Sequence, residues 1–127
     1  MSYNIEVLTK KNYLHVRVRG KNSEETVSGY LTDLRRLCVE SSCPNLLIEE
    51  NLEGSSLTLT EIYRIVMSVG RNLWPDVKKI AYVDTNPGHD SGLMRFAGKL
   101  GFSIGLSVYM FETVVSAETW IQAETTP

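Results

Sequence analysis

The chain has 127 residues and a formal charge of -2, with 43% hydrophobic and 22% charged residues. A chain of that length buries roughly two-thirds of the surface it would expose unfolded, enough for a core without disulfide or metal staples, so disorder and fibrous repeats are excluded. Thirteen Lys+Arg against fifteen Asp+Glu, with no block of like charge, give no electrostatic footprint for nucleic acid or an anionic membrane.

No apolar stretch approaches the ~20 residues that span a bilayer, and the start, MSYNIEVLTKK, lacks the order of a signal peptide. A cytoplasmic location is expected. Cys38 and Cys43 sit too far apart for a Cys-x-x-Cys motif and lack partners for zinc, so two reduced structural thiols are predicted.

Asn4 to Leu8 reads as a short strand, turning at Lys10-Lys11-Asn12 into a second strand, Tyr13 to Arg19. There Leu14, Val16 and Val18 alternate with His15, Arg17 and Arg19, which predicts one buried and one open face. Asn22 and Glu25 suggest a capping box for a first helix, whose apolar stripe is Val27, Tyr30, Leu31, Leu34, Leu37 and Cys38. Asn45 to Ile48 is a mostly buried strand with an acidic end at Glu49-Glu50-Asn51. Thr58 and Glu61 form a second capping box, before a helix with a core stripe of Leu59, Ile62, Val66, Val69 and Leu73, stopped by Trp74-Pro75-Asp76. Lys79 to Asp84 is the next strand. A third, short helix follows Asp90 or Ser91, carries Leu93, Met94, Phe96, Ala97 and Leu100, and ends at Gly101. Phe102 to Phe111 is predicted as a long strand, Ser116 as the cap of a brief helix with Trp120 and Ile121, and Thr125 to Pro127 as a frayed tail.

This order implies a single α/β domain over residues 1–127: a mixed, mostly parallel five-stranded sheet in the chain order β-β-α-β-α-β-α-β-α. Right-handed crossovers between neighbouring strands would gather the helices mainly on one face.

Three phrases carry a resemblance to a known family. They are Asn45-Leu-Leu-Ile-Glu-Glu50 before a loop and helix, Lys78-Lys-Ile-Ala-Tyr-Val-Asp84 before a short helix, and the closing FETVVSAETWI. The chain resembles the SpoIIAA-like proteins of the STAS superfamily over nearly its whole length. The resemblance implies a non-enzymatic regulatory or protein-interaction module. It also implies phosphorylation at the start of the second helix, for which Ser55 or Ser56 is the positional match. Here Gly54 precedes that pair and Leu57 follows it, where the family has Asp-Ser-Ser-Gly. The residues themselves also allow a plainer reading, that the serines and Thr58 cap the helix.

The parallel strands should deliver Glu49, Glu50, Asn51, Asp84, Thr85, Asn86, His89 and Asp90 to one edge, where ligands of open α/β sheets bind. That edge offers oxygen ligands for a hard cation and one histidine, against the alternative of solvated turn residues. No catalytic set, resident metal or cofactor is assigned: no Gly-x-Ser-x-Gly, Gly-x-Gly-x-x-Gly or Walker loop occurs. A partner-binding face, with self-association into a homodimer foremost, is expected around His15, Arg17, Arg19 and Tyr109, with Tyr82 or Leu47 alternatives beside them. Two other functions remain open: a domain binding a small apolar molecule or lipid near Tyr63, Met67, Trp74 and Trp120, and an enzyme using the acidic edge.

Overall fold

A computed structural model describes residues 3–71 and 77–123. The expected stop at Trp74-Pro75-Asp76, Leu73 of the second stripe, and the tail from Thr125 lie outside the described residues. The elements are β1 (Tyr3–Thr9), β2 (Leu14–Lys21), α1 (Glu24–Ser41), β3 (Asn45–Glu53), α2 (Leu59–Arg71), β4 (Lys79–Asp84), α3 (Ser91–Ser103), β5 (Val108–Phe111) and α4 (Val114–Gln122). They build one sheet in the spatial order β1-β2-β3-β4-β5, with β1 antiparallel to β2 and the remaining pairs parallel. No helix among the described residues is long and apolar enough to cross a membrane.

The pleat sorts the side chains into two layers. Leu14, Val16, Val18, Leu46, Ile48, Leu52, Ile80 and Tyr82 face the larger core, which Val27, Tyr30 and Leu34 of α1 and Ile65 of α2 complete. Leu47, Ala81 and Val83 face the other way, against Ala117 and Ile121 of α4. Three helices therefore cover one face, while α4 packs on β3, β4 and β5 of the second. That second face is not bare, as its alternating strand suggested. The chain turns back at β5, and the small Ala81 and Ala117 let a short helix lie close over the sheet centre, with Tyr13 and His15 also buried on this side and Arg19 exposed.

Several boundaries differ from expectation. The N-cap of α1 is Ser23, whose Oγ accepts from the N–H of Thr26 at 3.1 Å, while Asn22 donates to the Ser55 carbonyl at 2.8 Å. For α4 the cap is Thr113, which accepts from the N–H of Ser116 at 3.1 Å. The Thr58–Glu61 capping box forms in both directions, at 2.9 and 3.2 Å. On α2 the buried pair is Ile62 and Ile65, whereas Leu59 is exposed.

The largest revision is at β5, which begins at Val108 rather than Phe102. Gly101 does not end α3; it brings the helix against β5, where a Cβ would come within 2.8 Å of Val108 Cγ1. The left-handed step falls instead at Gly105, with φ of 93°. Phe102 and Ser103 consequently belong to the helix.

Candidate functional site

The C-terminal ends of β3 and β4 meet beneath the start of α3. On β3, Leu46, Ile48, Glu50 and Leu52 share the face toward the larger core, so the pleat turns Glu50 inward and Glu49 outward. Glu50 is 3% exposed. Its Oε2 accepts hydrogen bonds from the hydroxyls of Tyr30 on α1 and Tyr82 on β4, whose oxygens are themselves 3.0 Å apart. Its Oε1 forms no hydrogen bond among the described residues.

Burial dominates the electrostatics. It pushes the Glu50 carboxyl up to about 7, with the two tyrosine hydrogen bonds pulling down and the Asp84 charge adding to the rise. Burial together with the neighbouring Glu50 charge holds both phenols well above their ordinary value, so Tyr30 and Tyr82 act as donors.

One turn onward, Asp84 and His89 form a buried pair, with side chains 8% and 4% exposed and Oδ2 to Nδ1 at 2.6 Å. The other ring nitrogen of His89 lies 3.0 Å from the Gly54 carbonyl. Nδ1 thus faces the Asp84 carboxylate, while Nε2 faces the Gly54 carbonyl and, at 3.5 Å, the side-chain amide nitrogen of Asn22. Asp84 Oδ1 also accepts from the N–H of Asn86 at 3.0 Å, and Asn86 Nδ2 donates to the Leu52 carbonyl at 2.8 Å. The threonine between them donates its backbone and hydroxyl hydrogens to the Glu50 carbonyl. These bonds clasp the β3–α2 and β4–α3 loops together.

Of the expected edge residues, the structure brings together Glu50, Asp84, Thr85, Asn86 and His89, with Asp90 beside them, and turns Glu49 away. Glu49 lies on the opposite face, 2.8 Å from His15 Nε2 and 3.4 Å from Arg17 Nε. Asp90 caps α3, accepting from the N–H groups of Gly92 and Leu93. Glu50, Asp84 and His89 could present one donor atom each within 4.8 Å. A cation there would compete with the Asp84–His89 bond and the tyrosine hydroxyls, so the cluster is closed on itself as a hydrogen-bonded unit. His89 is correspondingly not the exposed loop residue that turn chemistry suggests.

Below this cluster an apolar chamber of about 120 Å³ runs between the sheet and α1, α2 and α3, with Glu50, Asp84, His89 and Asn22 at one end. The expected apolar cleft joining Tyr63, Met67 and Trp120 does not exist: α2 and α4 lie on opposite faces of the sheet. Trp74 lies outside the described residues.

The expected partner face also divides. His15 points to the anticipated side but is buried at 4% exposure, tied to Glu49. Arg17 is half exposed and paired with Glu6 and Glu49, and Arg19 is exposed. Tyr109 sits with Leu47 on the α4 side, and Tyr82 on the other. Tyr109 packs on Trp120 at 4.8 Å between ring centres and on Phe102 at 6.1 Å. With 60% of Phe102 and 43% of Tyr109 exposed, this is an aromatic surface at the unpaired edge of β5.

The backbone arrangement matches solved structures. A crystal structure of an anti-sigma factor antagonist from Mycobacterium paratuberculosis aligns with a TM-score of 0.59 at 17% identity, over 96% of each chain. An uncharacterized protein of the DUF3478 family with a SpoIIAA-like fold, from Shewanella loihica PV-4, aligns with a TM-score of 0.52 at 19% identity, over 94% of this chain and 93% of that one. The chain has a SpoIIAA-like fold. No protein-family model and no curated protein matches its sequence. Ser55 is exposed, and Ser56 Oγ accepts from the N–H of Asp90 at 2.8 Å, which places both serines on the clasped rim.

Proposed function

We propose that this chain is a non-enzymatic regulatory module that works by protein contact in the cytoplasm, where its free Cys38 and Cys43 would stay reduced. The observation that carries the reading is the aromatic surface of Phe102 and Tyr109 along the open edge of β5. Aromatic side chains are enriched where proteins meet, and an edge strand offers unpaired backbone groups. Arg95 and Lys99 flank it, which favours a partner segment carrying apolar and acidic side chains, either on a second copy or on another protein. The β1–β2 face supports contact less well, because Arg17 is already neutralised by Glu6 and Glu49.

Ser55 and Ser56 are the sites at which a phosphate would regulate the module. On Ser56 it would set a charge of about -2 beside the Asp90 carboxylate, weakening the bond that holds the β3–α2 loop to α3. A photo-crosslinking residue at position 102, introduced in the native host, tests the contact. A discrete adduct that disappears with Tyr109→Asp is expected. No adduct, or an adduct indifferent to Tyr109→Asp, would contradict the proposal.

A further inference from the structure

We infer that the open edge of β5 takes an extended segment of another protein as an added strand, and that this segment alternates acidic and apolar side chains. The inference rests on the contact surface proposed above and names what that surface reads. Arg95, Lys99 and Phe102 recur at helical spacing along the exposed side of α3, and with Val108, Tyr109 and Met110 of β5 they line a groove of about 350 Å³. Gly98 brings the helix down onto the strand, since a Cβ there would come within 2.9 Å of Met110 Cγ. The groove therefore has a helix for one wall and a strand edge for its floor, an arrangement into which an extended peptide adds by main-chain pairing.

The pleat of β5 dictates the side chains of the segment. The Ser107 carbonyl accepts from the N–H of Ile80 at 2.9 Å, so the alternate residues Ser107, Tyr109 and Phe111 turn their backbone groups toward β4. Val108 and Met110 turn theirs outward, and those N–H and C=O groups have no partner among the described residues. Side chains directly opposite each other in a sheet share a face. A residue opposite Tyr109 thus lies on the α4 side, against the exposed Tyr109 ring that packs on Trp120. Its two neighbours, opposite Val108 and Met110, lie on the α3 side with Arg95 and Lys99. Both cations are exposed, and neither is paired with a carboxylate among the described residues. Charge complementarity therefore assigns acidic residues to the two flanking positions and an apolar residue to the middle one, whichever direction the segment runs. A second copy fits poorly: its β5 would offer Val108 and Met110 at the acidic positions and bring the Arg95 and Lys99 of both copies to one interface.

Titration of the full chain against the fluorescein-labelled, end-blocked peptide Thr-Glu-Val-Glu-Val-Glu-Thr tests this by anisotropy and ¹H–¹⁵N NMR. The peptide should bind at least tenfold more tightly than its counterpart with lysine in place of glutamate, moving the signals of Val108, Tyr109 and Met110. Lys99→Glu, an exposed change, should weaken it about tenfold, and Arg95→Glu likewise. N-methylation separates strand addition from charge attraction. Methyl groups on the glutamate nitrogens and on the valine nitrogens block opposite edges of the peptide, so one form should lose binding and the other keep it. Identical behaviour of the two methylated forms, equal binding of the acidic and basic peptides, or shifts away from β5 would each overturn the proposal. So would a dimer of the peptide-free chain in sedimentation that Tyr109→Asp dissolves, which would give the groove to a second copy. An adduct at position 102 that requires Tyr109, without pattern-dependent peptide binding, would keep the contact surface and remove its strand-pairing mode.

Discussion

Raising the pH from about 4.5 to about 7 should destabilise the protein by roughly 3 kcal/mol through Glu50 alone, at about 1.4 kcal/mol per pH unit. Burial holds this carboxyl at about 7 in the folded state, while an unfolded chain returns it to the ordinary value near 4.5. Between the two values the folded protein binds more protons than the unfolded one, so folding is favoured at the acidic end and loses that advantage as Glu50 ionises. Above 7 the contribution is constant. The groups facing Glu50 are Tyr30 from α1, Tyr82 and Asp84 from β4, and His89 from the β4–α3 loop. Glu50→Gln keeps an acceptor for both tyrosines and removes the titration. Urea unfolding at intervals from pH 5 to pH 8 should give a falling profile for the natural sequence and a flatter one for Glu50→Gln. Parallel profiles would remove Glu50 as the cause.

Asp84→Ala should cost about 3–5 kcal/mol, because it strips one member from a buried pair and leaves the other without its acceptor. The same change orphans the N–H of Asn86, which Asp84 Oδ1 accepts. Asp84→Asn preserves the second bond and the side-chain volume, and should lose markedly less. His89→Ala on the Asp84→Ala background should add little, since most of the interaction is already gone; the double-mutant cycle measures this directly. A loss under 1 kcal/mol for Asp84→Ala would mean that the rim is solvated and the clasp unimportant.

What the sequence reveals here tracks how local each determinant is. The Thr58–Glu61 box depends on residues three apart, and it forms as read. Strand order followed because each apolar run is short and separated by helical periodicity, and the resulting sheet is a simple succession from β1 to β5. The start of β5 was missed because Gly101 has two uses: it ends helices, and it permits close packing. Only the contact with Val108 distinguishes them. The position of α4 was likewise hidden, since a nine-residue apolar stripe does not say which face of a sheet it will cover.

The site was half legible. Glu50, Asp84 and His89 were gathered at one edge by the logic of parallel strands. Tyr30 and Tyr82 were not joined to them: twenty and thirty-two residues separate them from Glu50, and Tyr30 sits in an apolar stripe that explains it equally well as core. One signal was present. The alternation Leu46, Ile48, Glu50, Leu52 places a carboxylate in line with three buried aliphatic residues, and such a group needs buried donors. Tyrosines on the facing helix and the neighbouring strand were the available suppliers. His15 misled for the converse reason: it alternates with arginines, yet lies buried beside Glu49.

The central claim is that a buried acid, clasped by two tyrosines, closes the polar end of an apolar chamber. Its most direct test is a ¹³C NMR titration of the Glu50 side-chain carboxyl in the intact chain. A midpoint near 7, moving in Tyr30→Phe and Tyr82→Phe, is the expected result. A midpoint near 4.5, indifferent to both tyrosines, would describe a solvated surface glutamate and contradict the account.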